Sequence, residues 1–188
     1  MNNNVFSKEV LMQQVQALGA SGVAIIPVSE IKTDTAFRAM CESNVCGKYG
    51  KCWMCPPDVG DIHELIQRLS QYEYALVYQT IGELEDSFDF EGMMQASRMH
   101  FDLSVKIRKQ CEAQGIAPLL HLSRGGCGVC AECTKTIGQP CRAPEQAIAS
   151  LEAYGINVSL LAKTAGMKYT NGANTVTYFG AILFSGKE

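Results

Sequence analysis

Residues Ala117–Glu145, APLLHLSRGGCGVCAECTKTIGQPCRAPE, join a strand, a cysteine-rich loop and the start of a helix. The apolar run Ala117–Leu122 predicts a buried strand. This strand ends directly at four cysteines with the spacing C-x2-C-x2-C-x7-C, and Pro144 then opens a helix at its first position. The stretch therefore predicts a metal-binding loop that interrupts a folded domain.

Helices and strands alternate along the rest of the chain. Periodicity and capping residues predict helices at Ser7–Leu18, Asp34–Met40, Asp61–Leu69, Met93–Gln114 and Ile156–Ala165, and strands at Val23–Val28, Tyr74–Ile81 and Thr175–Phe184. This alternation predicts an α/β (or α+β) fold, with helices packed on a single sheet of about four strands. The length of 188 residues fits one domain, 1–188, with cysteine loops at 41–57 and 125–145.

Eight of the nine cysteines form two sets of four. The first set has the spacing C-x4-C-x5-C-x2-C and consists of Cys41, Cys46, Cys52 and Cys55. The second set consists of Cys127, Cys130, Cys133 and Cys141. Four thiolates saturate either a tetrahedral zinc ion or a 4Fe-4S cubane. The pattern therefore predicts two metal centres.

The spacing of the second set favours a 4Fe-4S cluster over zinc. Three cysteines at successive x2 spacing begin the bacterial ferredoxin run, whereas zinc sites use separated C-x2-C pairs. The first set matches neither pattern fully; a 4Fe-4S cluster is favoured there, with zinc as the alternative. In two-cluster ferredoxins the fourth cysteine of a run ligates the other cluster, so the centre that Cys41 or Cys141 ligates stays open.

Basic and small residues beside the cysteines are candidate cofactor contacts. Arg124, Arg142 and Lys51 are placed to offset the negative charge of a thiolate-bound cluster. The glycines of Gly125–Gly128 let the backbone approach the cluster sulfurs and donate N–H groups to them. Trp53 would shield the first centre from water, and ordinary packing is its alternative role.

The ninth cysteine and the histidines predict structural roles. The long helix carries an apolar stripe of Met93, Ala96, Met99, Leu103, Ile107 and Cys111. This position predicts a buried structural thiol for Cys111. His121 is expected to be hydrogen-bonded at a strand end, with a place beside the second cysteine loop as the alternative. His63 and His100 are expected on helix surfaces.

Charge and hydropathy narrow the function classes. The net charge of −3 and the lack of a basic block disfavour nucleic-acid binding. The longest strongly apolar stretch, Thr175–Phe184, is far shorter than the roughly 20 residues that span a bilayer. Residues Met1–Val5 do not resemble a secretory signal, so we expect a cytoplasmic protein without membrane association. Thiols stay reduced there, which disfavours a disulfide scaffold.

Both cysteine loops resemble one family. The segments Cys46–Pro57, Gly126–Cys133 and Pro140–Glu145 are similar to an uncharacterised prokaryotic family of predicted metal-binding proteins, a domain of unknown function that is frequent among anaerobes. The similarity runs over most of the chain. It implies that all eight clustered cysteines are metal ligands, and it implies no particular reaction.

Three functions follow from the ligands. Eight thiolates fill two 4Fe-4S clusters, which predicts intracellular electron transfer between redox partner proteins. If one thiol is not a ligand, with Cys41 and Cys141 as candidates, an open iron site would make the protein an iron–sulfur enzyme. If both centres hold structural zinc, the chain is an interaction module. Electron transfer is the favoured hypothesis. The sequence does not determine the oligomeric state.

Overall fold

The computed structural model of the protein describes residues 7–117 and 119–186. Within these residues it has the helices α1 (Lys8–Ala17), α2 (Phe37–Glu42), α3 (Ile62–Leu69), α4 (Phe90–Ala113) and α5 (Val158–Thr164). The strands are β1 (Gly22–Pro27), β2 (Tyr74–Glu83), β3 (Leu119–Ser123), β4 (Ala149–Ser150) and β5 (Thr175–Phe184). The mixed α/β fold with one sheet is confirmed, and the sheet has five strands where about four were expected.

The strands form one sheet in the order β1-β2-β5-β3-β4. β3 and β4 are parallel, and the other neighbouring pairs are antiparallel. The short strand β4 was not predicted; it pairs Ala149 with Leu122 and Ser150 with Ser123 of β3. The loop with the second cysteine set begins after β3 and ends before β4, so this pairing holds its two ends side by side.

Alternating side chains of the central strands supply two separate cores. On β2, Ala75 and Val77 belong to one core, whereas Leu76 and Tyr78 belong to the other. Helices α3 and α5 cover the first face, and α1 and α4 cover the second. This is the period-two pattern expected of strands that are buried on both faces.

Gly180 of β5 leaves room for the ring of Tyr78, its partner in the β2–β5 register. A Cβ at Gly180 would lie 2.3 Å from the Tyr78 ring and hydroxyl, so no larger residue fits without a shift. Tyr78 is thereby held against the sheet, where its hydroxyl joins a buried polar network described below.

Of two predicted helix starts, the one at Asp61 is confirmed and the one at Pro144 is wrong. Asp61 caps α3 by accepting hydrogen bonds from the backbone N–H groups of His63 and Glu64, as its sequence position predicts. Pro144 opens only a three-residue 3₁₀ turn, because the backbone becomes extended at Ala147 to enter β4. In the described residues, the search for a helix of sufficient length and apolarity to cross a membrane finds none.

Candidate metal centre

The two cysteine loops contact each other through side chains around Trp53. The indole Nε1 of Trp53 donates a hydrogen bond to the backbone oxygen of Gln139 at 2.9 Å. Lys135 of the second loop forms an ion pair with Asp58, which directly follows the first loop, and its Nζ lies 4.4 Å from the centroid of the Trp53 ring. These contacts join residues about 80 positions apart and bring both cysteine sets into one region.

Five cysteines surround a small space that we call the compact pocket. Its volume is about 20 Å³. The lining includes Arg142, Cys52 of the first set and all four cysteines of the second set, Cys127, Cys130, Cys133 and Cys141. Cys52 is 3% exposed, and the other four thiols are half-buried. The fold therefore places one member of the first set with the second set.

The other three cysteines of the first set, Cys41, Cys46 and Cys55, line a larger space that we call the open cavity. Its volume is about 500 Å³. Cys55 is buried, Cys41 is half-buried and Cys46 is exposed. Gly126 of the second loop approaches this site closely, since a Cβ there would lie 3.5 Å from the sulfur of Cys55 and 3.5 Å from the side chain of Lys48.

Cys52 and Cys55 connect the two sites. The thiol of Cys55 donates a hydrogen bond to the sulfur of Cys52, and this bond is the main cause that lowers the pKa of Cys52 to about 5. Further hydrogen bonds from the backbone of Met54 and Cys127 and from the Cys133 thiol lower this pKa as well, whereas burial raises it. The same bond, together with burial, raises the pKa of Cys55. One thiolate is thus stabilised at the boundary between the compact pocket and the open cavity.

Backbone N–H groups also point at the sulfur of Cys127. Hydrogen bonds from Val129 and Ile148 favour its thiolate, although burial is the larger influence and raises the pKa of Cys127 overall. N–H bonds to cysteine sulfur are typical of iron–sulfur sites, where they tune the reduction potential. The donor set, soft thiolates only, fits zinc or iron–sulfur clusters rather than magnesium or calcium.

The described residues do not converge on the centre of a single ion. Within residues 7–117 and 119–186, no three Cys, His, Asp or Glu side chains are placed to hold one metal ion. All nine cysteines lie in these residues and are free thiols.

The three predicted cofactor-contacting cations occupy different places. Arg124 is half-buried; its guanidinium donates two hydrogen bonds to the backbone oxygen of Ser97 on α4 and one to the backbone oxygen of Gly126. Arg142 lines the compact pocket, whereas Lys51 is exposed and lines neither site. Arg124 therefore anchors the second loop to α4, and contact of any of the three with a cofactor stays a prediction.

A buried polar network lies beneath the second loop. The hydroxyl of Tyr78 is 2.7 Å from both the hydroxyl of Ser104 and Nε2 of His121, and Ser104 is 3.2 Å from Ser123 at the end of β3. His121 is thus hydrogen-bonded, as expected, but it lies in the middle of β3 and not at the strand end.

Helix α4 buries Leu103, Ile107 and Cys111 of its predicted apolar stripe, and it departs from the prediction at Met99 and His100. His100 is 0% exposed, so the expected surface position is wrong: its Nδ1 lies 2.8 Å from the hydroxyl of Thr80, and its ring stacks on Tyr78. Met99, a member of the predicted stripe, is 64% exposed. The predicted burial of Cys111 is confirmed, and His63 is exposed as expected.

Sequence reasoning missed the polar side chains that line the open cavity. They lie on the stretch from β4 to the start of α5 and are Ser150, Glu152, Asn157 and Ser159. Burial raises the pKa of Glu152, although a hydrogen bond with the Ser150 side chain opposes the shift. The one available signal is an acidic residue inside the apolar run 147–156, because such a carboxyl needs a polar environment to be buried.

Comparison with known proteins supports metal binding. A family model described as "Predicted metal-binding protein (DUF2284)" matches residues 24–184, which include both cysteine loops and all five strands except the first residues of β1. The chain belongs to this family. The DUF2284 description states metal binding and no reaction. No curated protein and no solved structure matches the chain.

Proposed function

We propose that this DUF2284 protein carries two adjacent iron–sulfur centres and transfers electrons between redox partner proteins inside the cell. The observation that carries the proposal is the turn from Cys52 to Cys55, closed by a hydrogen bond of 3.0 Å from the Cys55 N–H to the Cys52 oxygen, because these two cysteines line different sites. Two clusters bound on either side of this pair would be close neighbours. An electron could then pass between them within a single chain.

The surroundings of the compact pocket support a redox centre. Backbone N–H groups of Met54 and Cys127 donate to the sulfur of Cys52. Hydrogen bonds of this kind are one of the factors that set the reduction potential of an iron–sulfur cluster. The ion pair of Lys135 with Asp58 and the packing of Lys135 on Trp53 cover the neighbouring loop. A redox centre benefits from such a fixed, partly dry environment, because its charge changes without a large rearrangement of water.

Structural zinc in the compact pocket is the second candidate. The volume of about 20 Å³ favours it, since this space is closer to that of one ion than to that of a cubane. A cluster would require the five surrounding thiols to move outward, and four of them lie on half-buried loop residues. The open cavity has room for a cluster without such a change.

Anaerobic purification followed by metal analysis tests both candidates. We expect a brown protein with about eight iron atoms per chain and an EPR signal after reduction. Cys130→Ala is expected to remove one centre and keep the other. Cys111→Ala is the matched control, because this buried thiol lines neither site. A protein with about one zinc ion and four iron atoms per chain would contradict the proposal at the compact pocket and support structural zinc there, and a colourless protein without iron would contradict the proposal at both sites.

A further inference from the structure

Three large apolar side chains are exposed where α4 begins. Phe88 is 79% exposed, Phe90 is 72% exposed and Met94 is 70% exposed. Phe90 and Met94 are four residues apart on α4, so their side chains are neighbours on one face of the helix. Grouped apolar side chains of this size indicate an interaction site, whereas single exposed ones are ordinary. We call Phe88, Phe90 and Met94 the aromatic patch.

Hydrogen bonds fix the backbone that carries the aromatic patch. Oδ1 of Asp86 accepts a hydrogen bond from the N–H of Phe88 at 2.7 Å. The carboxylate of Asp89 caps α4, with Oδ1 2.8 Å from the nitrogen of Gly92 and Oδ2 3.1 Å from the nitrogen of Glu85. The phenylalanines are therefore exposed on an ordered loop, and a partner that binds them does not have to order the loop first.

Carboxylates surround the aromatic patch. Residues 82–97 contain five acidic side chains and no lysine, arginine or histidine. Within the described residues, four of the five are exposed and form no ion pair; these are Glu83, Glu85, Asp86 and Glu91. The fifth, Asp89, is the cap of α4. The apolar side chains thus have an acidic rim.

The cations of the neighbouring segments lie at the edge of the patch or on the other face of the sheet. Arg98 is exposed on α4, one turn beyond Met94. Arg124 is half-buried and bonds to α4 at about the same distance from the start of the helix. Lys168 is next to Tyr169, whose ring stacks on the first core, whereas α4 covers the second. The start of α4 is therefore a region of negative charge.

The aromatic patch continues into the contact between α4 and the second cysteine loop. One face of α4 carries residues at steps of four, three and four, which are Phe90, Met94, Ser97 and Phe101. The second cysteine loop covers the later half of this face: Arg124 donates to the backbone oxygen of Ser97, and a Cβ at Gly128 would lie 3.1 Å from the Phe101 ring. Phe90 and Ser97 are about 10 Å apart along the helix. A partner on the earlier half would therefore lie beside the second cysteine loop.

We propose that the aromatic patch and its acidic rim are the docking surface for a protein partner with an apolar centre and a basic rim. The inference rests on the proposed electron-transfer function and makes this partner the redox partner. Phenylalanine and methionine are enriched at the centres of protein interfaces, and opposite charges around such a centre speed association. The acidic rim would repel an anionic membrane, and a second copy of this chain on the same patch would bring like charges together.

Cytochrome c, a small basic haem protein, is a suitable probe for this surface. Its binding to the anaerobically prepared protein is measured by surface plasmon resonance at low and high salt, and iron content is measured on the same samples. We expect Phe90→Ser and Met94→Ser each to weaken binding by about fivefold or more. The matched control is Met99→Ser, which changes an exposed methionine nine residues from Phe90, on the opposite side of α4, and should bind like the wild type.

Charge variants test the acidic rim. Glu85→Gln combined with Glu91→Gln removes two of its carboxylates, and Glu64→Gln combined with Glu73→Gln removes two exposed carboxylates elsewhere, with the same change in net charge. We expect the first pair to slow association severalfold at low salt and to weaken its salt dependence, with little change in dissociation. The second pair should associate like the wild type. Equal association rates for the two pairs would overturn the inference, because the attraction would then depend on net charge alone.

Three further results would overturn the docking surface. The first is equal affinity of the wild type, Phe90→Ser and Met94→Ser for cytochrome c. The second is a wild-type dimer in analytical ultracentrifugation that becomes a monomer in Phe90→Ser, since a second copy would then occupy the patch. The third is flotation of the wild type with anionic lipid vesicles that is lost in Phe90→Ser. If cytochrome c binds through the patch but the reduced protein passes no electron to its ferric haem, the electron-transfer proposal is overturned and the docking surface stands.

Discussion

Acidification is expected to destabilise the folded protein through two buried histidines, His100 and His121. Burial is the main cause that lowers the pKa of His100 to about 4 and that of His121 to about 3, from an ordinary value of 6.5. The charges of Arg124 and Arg108 add to the two shifts, respectively. Burial therefore favours the neutral form of both histidines in the folded protein.

The sign of the effect follows from which state binds protons first. Below pH 6.5 the unfolded chain protonates its histidines, whereas the folded chain does not until the pH approaches 4 or 3. The contribution of the neutral histidines to the free energy of unfolding is thus fully present above pH 6.5, and it decreases as the pH falls below this value. With these pKa values each histidine removes about 2 kcal/mol between pH 7.5 and pH 5, and the two together about 4 kcal/mol. This is a large part of a typical total of about 5–15 kcal/mol.

Urea unfolding of the wild type and of His121→Gln at pH 7.5 and pH 5 isolates the contribution of one histidine. Loss of metal in acid affects both proteins, so it largely cancels in the difference between them. We expect the variant to be less stable at pH 7.5 and the gap to narrow by about 2 kcal/mol at pH 5, or about 1 M urea in the difference between midpoints. A gap that is the same at both pH values would refute the argument, because His121 would then titrate alike in the folded and unfolded states.

Two further substitutions test how the cysteine loops are held. Lys135→Ala removes the ion pair with Asp58, a contact worth about 1 kcal/mol at a partly exposed position, and should speed the release of the bound metal to a chelator several-fold. Lys109→Ala, which changes an exposed lysine of α4, should match the wild type, and equal rates for all three proteins would contradict this role. Arg124→Lys keeps the charge but loses the planar guanidinium that donates two hydrogen bonds to the backbone oxygen of Ser97. We therefore expect urea unfolding to show a free energy of unfolding that is lower by about 1–3 kcal/mol. A midpoint equal to that of the wild type would contradict the role of Arg124 in holding the second loop to α4.

The parts of the fold with a repeated signal could be predicted from the sequence. β5 spans the predicted Thr175–Phe184, and α3 begins after the predicted cap Asp61. β4 could not be predicted, because two residues are too few for an alternating pattern and its pairing with β3 depends on the loop that separates them. The turn at Pro144 shows the same limit, since a good first helical residue does not determine whether a helix continues.

The buried face of α4 shows why hydropathy alone misplaced His100. A stripe of apolar residues predicted that Met99 would be inside and His100 outside, and the fold has the reverse. A polar ring can be buried when its nitrogen has a partner, and Thr80 on β2 provides one at 2.8 Å. That partner lies 20 residues away in sequence, so no local pattern reveals it.

The division of the cysteines is the part of the site that spacing could least determine. Cys52-x2-Cys55 has the spacing of two ligands to one centre, yet Cys52 lines the compact pocket and Cys55 lines the open cavity. The turn between them, closed by the hydrogen bond from the Cys55 N–H to the Cys52 oxygen, places one residue at each site. The backbone N–H of Cys127, more than 70 residues away, is one of the groups that lower the pKa of Cys52. Spacing predicts that cysteines bind metal, whereas tertiary contacts determine which thiols lie at each site, and here Cys41, Cys46 and Cys55 line the open cavity.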